Sequence, residues 1–219
     1  MSEKLRSLTE KIKQKYRVSW LKTIYYNFMS GKVQRKNRGI LLVYKGTTLV
    51  FERDSKVVVE AGKLRLGYGK PAGCKMASLI RLSQGSVIHT VGDVIIEYGA
   101  DILLRPQAVL SMKKGSYINC HCMIRCHQEI SIGEDTITST ELNLRDSDGH
   151  SINGERSTAP IIIGDHVWIG MNVTILKGVN IENGAVIGAC SLVSHDVPAC
   201  CLVYGSPARV QREKVDWKY

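Results

Sequence analysis

The chain has 219 residues, is 44% hydrophobic and 23% charged, and carries 30 Lys and Arg against 20 Asp and Glu. That is globular composition, and it excludes a disordered chain, a collagen or a disulfide-stapled miniprotein. No apolar run approaches the ~20 residues of a membrane-spanning helix. No charged head, apolar stretch and small-residue cleavage site opens the sequence, so the expectation is a cytoplasmic protein whose seven Cys are free thiols.

The net charge of +10 is concentrated in residues 1–38, where eleven basic side chains meet only Glu3 and Glu10. This arm has helical spacing. Leu5, Leu8, Ile12 and Tyr16 recur at steps of three and four, and Leu21, Ile24 and Phe28 continue the pattern. Ser7 or Thr9 is placed to cap its start and Gly31 to end it. Two readings stand: a helix packed on its own protein with a solvated basic face, or one lying on an anionic membrane leaflet. The remaining residues are nearly neutral and hold no known nucleic-acid module, so no nucleic-acid partner is expected.

Residues 39–210 read as one domain dominated by a six-residue period. From Ile163, large aliphatics recur through Ile169, Ile175, Ile181, Ile187 and Val193. Smaller or β-branched companions stand at Val167, Val173, Val179, Ala185, Ser191 and Val197. Neither a helix nor an alternating strand has this period; hexapeptide repeats build parallel β-helices, with the large residue filling the interior. The period continues upstream as Ile96, Ile102, Ala108, Lys114, Cys120, Cys126, Ile132, Thr138 and Leu144, with Lys114 and Thr138 as poor members. Runs 56–66 and 86–95 look like strands, but the frame is not defined before residue 86. Between Leu144 and Ile163 the frame slips, so the polar stretch 146–160 must leave the coil as a loop. The tail, 211–219, reads as a short helix.

Residues 161–210, with VWIG, then GA-x-S-x-V, then G-x-PAR-V, resemble the C-terminal half of the hexapeptide-repeat acyltransferases. The resemblance implies an all-β, left-handed parallel β-helix and acetyl-CoA as acyl donor. It also implies a homotrimer with sites between subunits. The RDSDGHSI stretch resembles sugar O-acetyltransferases of bacterial surface-polysaccharide synthesis and, more distantly, galactoside and maltose acetyltransferases. Carried over, His150 is the general base, with a pKa suited to taking a hydroxyl proton near neutral pH. Asn119, with neighbouring Tyr117, falls on the acceptor side. Asp146 or Asp148 would orient the imidazole or bind sugar hydroxyls, and Trp168 would close over the acceptor. The CoA positions are Met171, Ala189, Ser194, His195, Arg209 and Arg212, the two Arg being suited to phosphate. Met171 and His195 depart from the small polar residue and the Lys common in relatives. His166 is expected on an outer wall.

CHCMIRCH (120–127) has ligands for zinc, but Cys120 and Cys126 fall on inward positions, where free Cys packs as a small hydrophobe; no metal is expected. The activity expected is acetyl transfer to a hydroxyl of a sugar or polysaccharide precursor. The alternatives are a small free acceptor, xenobiotics included, a carbonic-anhydrase-like metalloenzyme using His121, His127 and His150, and a non-catalytic scaffold.

Overall fold

The computed structural model describes residues 17–151 and 153–218. The arm's first helical face, Leu5 to Tyr16, and the cap candidates Ser7 and Thr9 therefore lie outside the described residues. From Val33 onward the chain winds as a parallel β-helix of triangular section. Its walls are a seven-stranded sheet beginning at Val33–Lys36, a nine-stranded sheet beginning at Ile40–Val43, and a seven-stranded sheet beginning at Thr47–Phe51. We call these the first, second and third walls. Each turn of the chain visits them in that order.

The six-residue period is the geometry of one wall and one corner. In the last coils Ile163 pairs with Ile181, Ile169 with Ile187 and Ile175 with Val193, so one coil takes 18 residues, or three hexads. Earlier coils are longer. Leu110 pairs with Ile130, 20 residues on, and Ile88 with Leu110, 22 residues on. Their four- and five-residue strands explain why Lys114 misses the pattern: it falls on a corner and is exposed. The interior is a continuous column of fully buried aliphatics from Leu41 to Val203. Cys120, Cys122 and Cys126 are all buried, and Cys122 and Cys126 belong to that column.

Side-chain ladders hold the corner between the first and second walls. The Asp165 carboxylate accepts the N–H of Glu134 in the coil before, and the Asn183 side-chain oxygen accepts that of Asp165 (2.7 and 2.8 Å). The preceding Gly133 and Gly164 leave no room for a Cβ, which would lie 2.4 Å from Gly164 carbonyl atoms and 2.9 Å from the Asn183 nitrogen, respectively. Coil-on-coil stacking thus requires the glycine of each Ile-Gly pair.

The structure departs from the sequence reading at both ends. Val33–Lys36 already pairs with Lys56–Glu60, so the coil starts inside the segment assigned to the arm. Only Val33 of that strand is buried, which leaves no alternating signal to read. A second excursion, 69–77, leaves the corner between the second and third walls after Lys63–Tyr68. The tail is not a helix. Ala208–Arg212 turns back antiparallel on Leu202–Gly205, and residues 213–218 run on as an irregular strap. A nine-residue helix is marginal on its own, whereas the strap docks Trp217 on His166.

The described part of the arm caps the edge strand Ile40–Val43. A short helix, Trp20–Ile24, widens into a π-helical turn, Tyr25–Met29, and ends at Gly31 with φ +67°. The polar face is the buried one. The Asn27 side chain donates to Leu41 O and accepts from Leu41 N, while Thr23 Oγ1 accepts from Val43 N. The apolar residues of the expected packing face point outward instead, with Leu21 86% and Phe28 65% exposed.

Candidate active site

The loop 146–160 leaves the corner between the third and first walls. Ile132 pairs with Ile163, 31 residues on, where the dense coils take 18. Its base is a short antiparallel ladder: Ser147 bridges Thr158, Asp148 N donates to Ser157 O (2.8 Å) and Ala159 N to Asp146 O (3.1 Å). Asp146 corrects the sequence expectation. It is fully buried, and its carboxylate accepts the backbone N–H groups of His127 (2.6 Å), Gln128 (2.7 Å) and Glu129 (2.9 Å). It anchors the loop and is closed to a sugar hydroxyl. The same carboxylate, after burial, helps to push the Cys126 thiol far above its ordinary range.

Asp148 is held from the next coil. Lys177 Nζ lies 2.8 Å from its carboxylate and donates to Arg156 O at 2.7 Å on the returning strand. Lys177 therefore ties both legs of the loop together, a role the sequence reading missed. His150 sits on the exposed tip with no hydrogen-bond or ion-pair partner among the described residues.

The other residues expected on the acceptor side lie elsewhere. Tyr117, Ile137 and Trp168 occupy successive register positions on the second wall, at ~4.8 Å per step. Tyr117 donates to the Glu97 carboxylate, whose pKa is raised by burial although that bond opposes the rise. Asn119 ends the Tyr117 strand at the next corner. Its side-chain oxygen accepts Cys120 N (2.7 Å), and its amino group has no partner among the described residues. Trp168 is half exposed. His166 is a corner residue with φ +53°, its ring turned outward onto Trp217.

The six positions carried over for CoA fall into three groups. Met171 and Ala189 stack one coil apart on the corner between the second and third walls, where Cys190 N bonds Met171 O (2.8 Å). Ser194 and His195 follow the third-wall strand Leu192–Val193, with Ser194 Oγ 3.0 Å from His195 Nδ1. Arg209 and Arg212 stand on Ala208–Arg212. His195 and Arg209 line one cavity of about 300 Å³ with Val193, Val197 and Val203. Among the described residues, no three His, Cys, Asp or Glu side chains are grouped to hold a metal ion, so the His121, His127 and His150 trio does not assemble.

The family model for the bacterial transferase hexapeptide (six repeats) matches residues 160–195. The galactoside O-acetyltransferase of Escherichia coli K12 is 33% identical over 152 residues, covering 64% of this chain and 68% of that protein. The chain belongs to the hexapeptide-repeat acyltransferases. The polysialic acid O-acetyltransferase of Escherichia coli O1:K1 is 28% identical over 144 residues, 63% of this chain and 44% of that protein, so the chain spans less than half of this longer relative. The crystal structure of the polysialic acid O-acetyltransferase OatWY superposes with a TM-score of 0.52 at 26% identity, covering 85% of this chain and 91% of that one.

As a member of this family the protein is an acetyl-CoA-dependent O-acetyltransferase, and its coil is left-handed, against the usual right-handed rule for parallel crossovers. Its residues fit the donor. Arg209 and Arg212 are exposed and lack acidic partners among the described residues, and the Arg209 guanidinium donates to the carbonyl of Ala208. Exposed guanidinium groups of this kind are chemically suited to phosphate. Gly170 packs so closely on Ala189 that a Cβ would come 2.7 Å from the Ala189 nitrogen, which fixes the stacking of the two coils at this corner.

Proposed function

We propose that this acyltransferase acetylates a hydroxyl of a sugar unit in a surface-polysaccharide precursor, with His150 as general base and sites shared between the subunits of a trimer. One observation carries the reading. His150 projects from the corner between the third and first walls, and the Tyr117–Ile137–Trp168 column lies on the second wall, across the triangular section from that corner. A single copy cannot bring the two together. A neighbouring copy can, by setting its corner against the second wall, and a closed cyclic assembly repeats that contact without leaving an unpaired face.

In such a site the roles divide cleanly. The imidazole of His150 takes the proton as the sugar oxygen attacks the thioester carbon; the C–O bond forms, the C–S bond breaks, and the proton passes to the departing thiolate. The amino group of Asn119, which has no partner among the described residues, supplies a donor for the developing oxyanion or a sugar hydroxyl. Asp148, held by Lys177, and Asp146, buried at the base, position the loop. Sugars are favoured over other acceptors because the relatives at 33% and 28% identity are named for a galactoside and a polysialic acid. The test is mass spectrometry of glycosides, nucleotide sugars and lipid-linked oligosaccharides incubated with enzyme and acetyl-CoA. Gain of one acetyl group on a sugar is expected; transfer only to non-sugar acceptors overturns the reading.

A membrane location accompanies it. Trp20, Leu21, Ile24, Tyr25, Phe28 and Met29 are all exposed on the cap, within a segment carrying +9 of the +10 charge. An apolar face beside clustered cations suits the interface of an anionic leaflet. Among the described residues no helix is long and apolar enough to cross a membrane.

A further inference from the structure

We propose that Trp217, on the C-terminal strap, is a specificity-determining residue that forms one side of a sugar-binding cleft with Trp168. The inference rests on the second wall being the acceptor side, as argued above. The strap is fastened at Val215, whose N–H donates to Cys200 O (2.8 Å). Trp217 is then locked to His166 in three ways: the rings stack with centroids 4.1 Å apart and planes 6° from parallel, the indole N–H donates to His166 O (2.9 Å), and His166 Nε2 lies 3.1 Å from Trp217 O.

This clamp fixes the indole beside Trp168 without stacking the two. Their centroids are 6.1 Å apart and their planes meet at 43°. The wedge between them opens into a cavity of about 320 Å³ lined by Ile137, Trp168, Trp217 and Lys218. That volume sits at the small end of the roughly 300–1,000 Å³ usual for small-molecule sites. Its walls are aromatic and aliphatic, and Lys218, whose ammonium lies 3.4 Å from the Asp216 carboxylate, completes the lining. A pyranose ring offers matching chemistry, with an apolar C–H face for an indole and hydroxyls for a charged or polar neighbour. The floor residue, Ile137, lies between Tyr117 and Trp168 in the same column, so a ring held in the wedge lies along the acceptor wall. Tryptophan suits this use because a rigid ring contributes area at little conformational cost.

The experiment is steady-state kinetics of Trp217→Ala and Trp217→Phe, with p-nitrophenyl glycosides of galactose, glucose and N-acetylglucosamine and with oligosialic acid as acceptors. Release of CoA is followed, and sedimentation velocity is run on each variant. For the alanine variant we expect an acceptor KM raised roughly tenfold, the loss of one aromatic contact, with the KM for acetyl-CoA and the sedimentation coefficient unchanged. Trp217→Phe should recover most of the acceptor affinity. An unchanged acceptor KM overturns the inference and leaves the proposed activity standing. A changed sedimentation coefficient also overturns it, because Trp217 would then be a subunit contact. No transfer by the wild-type enzyme to any of these sugars overturns the proposed sugar acceptor, and the inference with it.

Discussion

At the residue scale the loop separates two kinds of histidine-and-carboxylate chemistry that look alike in one dimension. His150 is exposed and has no partner among the described residues, which suits the general-base role proposed for it. His150→Ala should lower kcat by about 10²–10⁴-fold, the usual worth of a positioned general base, with little change in the KM for acetyl-CoA; initial-rate kinetics decide it. Asp146 is the opposite case. Replacing it with Ala takes the acceptor from three partly buried backbone N–H groups, and each that water does not reach costs roughly 1–3 kcal/mol. Asp146→Ala should therefore lower the unfolding midpoint and speed hydrogen exchange through 147–158, whereas a residue that merely binds sugar would move neither.

Asp101, on the third wall, gives the clearest pH dependence. Burial opposes its charge, but hydrogen bonds and attraction from Arg125 and Arg81 win, and its carboxyl is held below the ordinary range. The folded pKa is thus lower than the unfolded one. The stabilisation is fully present above the unfolded value of about 3.9 and is lost as pH falls through the folded value. Thermal melts should show Asp101→Asn flattening the fall in stability below about pH 4.

At the scale of elements, the arm shows how a helix can bury the wrong face for the right reason. The edge strand Ile40–Val43 presents unpaired backbone groups, and these need hydrogen bonds more than they need apolar contact. Asn27 and Thr23 supply them, which turns Leu21, Ile24 and Phe28 to the outside. Full-length protein should float with anionic vesicles at low salt and be released at high salt, since each engaged cation contributes about 1 kcal/mol that salt screens. Leu21→Glu with Phe28→Glu should abolish flotation without affecting transfer activity. Flotation unchanged by both substitutions would place the contact elsewhere.

At the scale of the whole molecule, the triangular coil sets the loop 146–160 and the Tyr117–Ile137–Trp168 column apart. Sedimentation should report three times the 24.3 kDa chain. Co-folding His150→Ala with Trp168→Ala chains, each inactive alone, should restore part of the activity, because some contacts in mixed trimers pair an intact loop with an intact wall. Failure to restore any would mean that one copy holds a complete site.

The coil was legible from the sequence because stacking is local and repetitive: every Ile163-type position meets an equivalent residue one coil away, so the period in one dimension is the packing in three. The slipped frame at 146–160 was legible for the same reason. What only the tertiary structure decided depends on contacts with no period. Asp146 turned inward because three corner amides, 17 to 19 residues back, converge on it. Lys177 came to hold both legs of a loop whose nearer leg lies 21 residues upstream. Trp217 was drawn out of a tail with helical appearance by His166, 51 residues away. Repetition writes its packing into the sequence, whereas a single long-range partnership exists only once the coil has set the distance between its members.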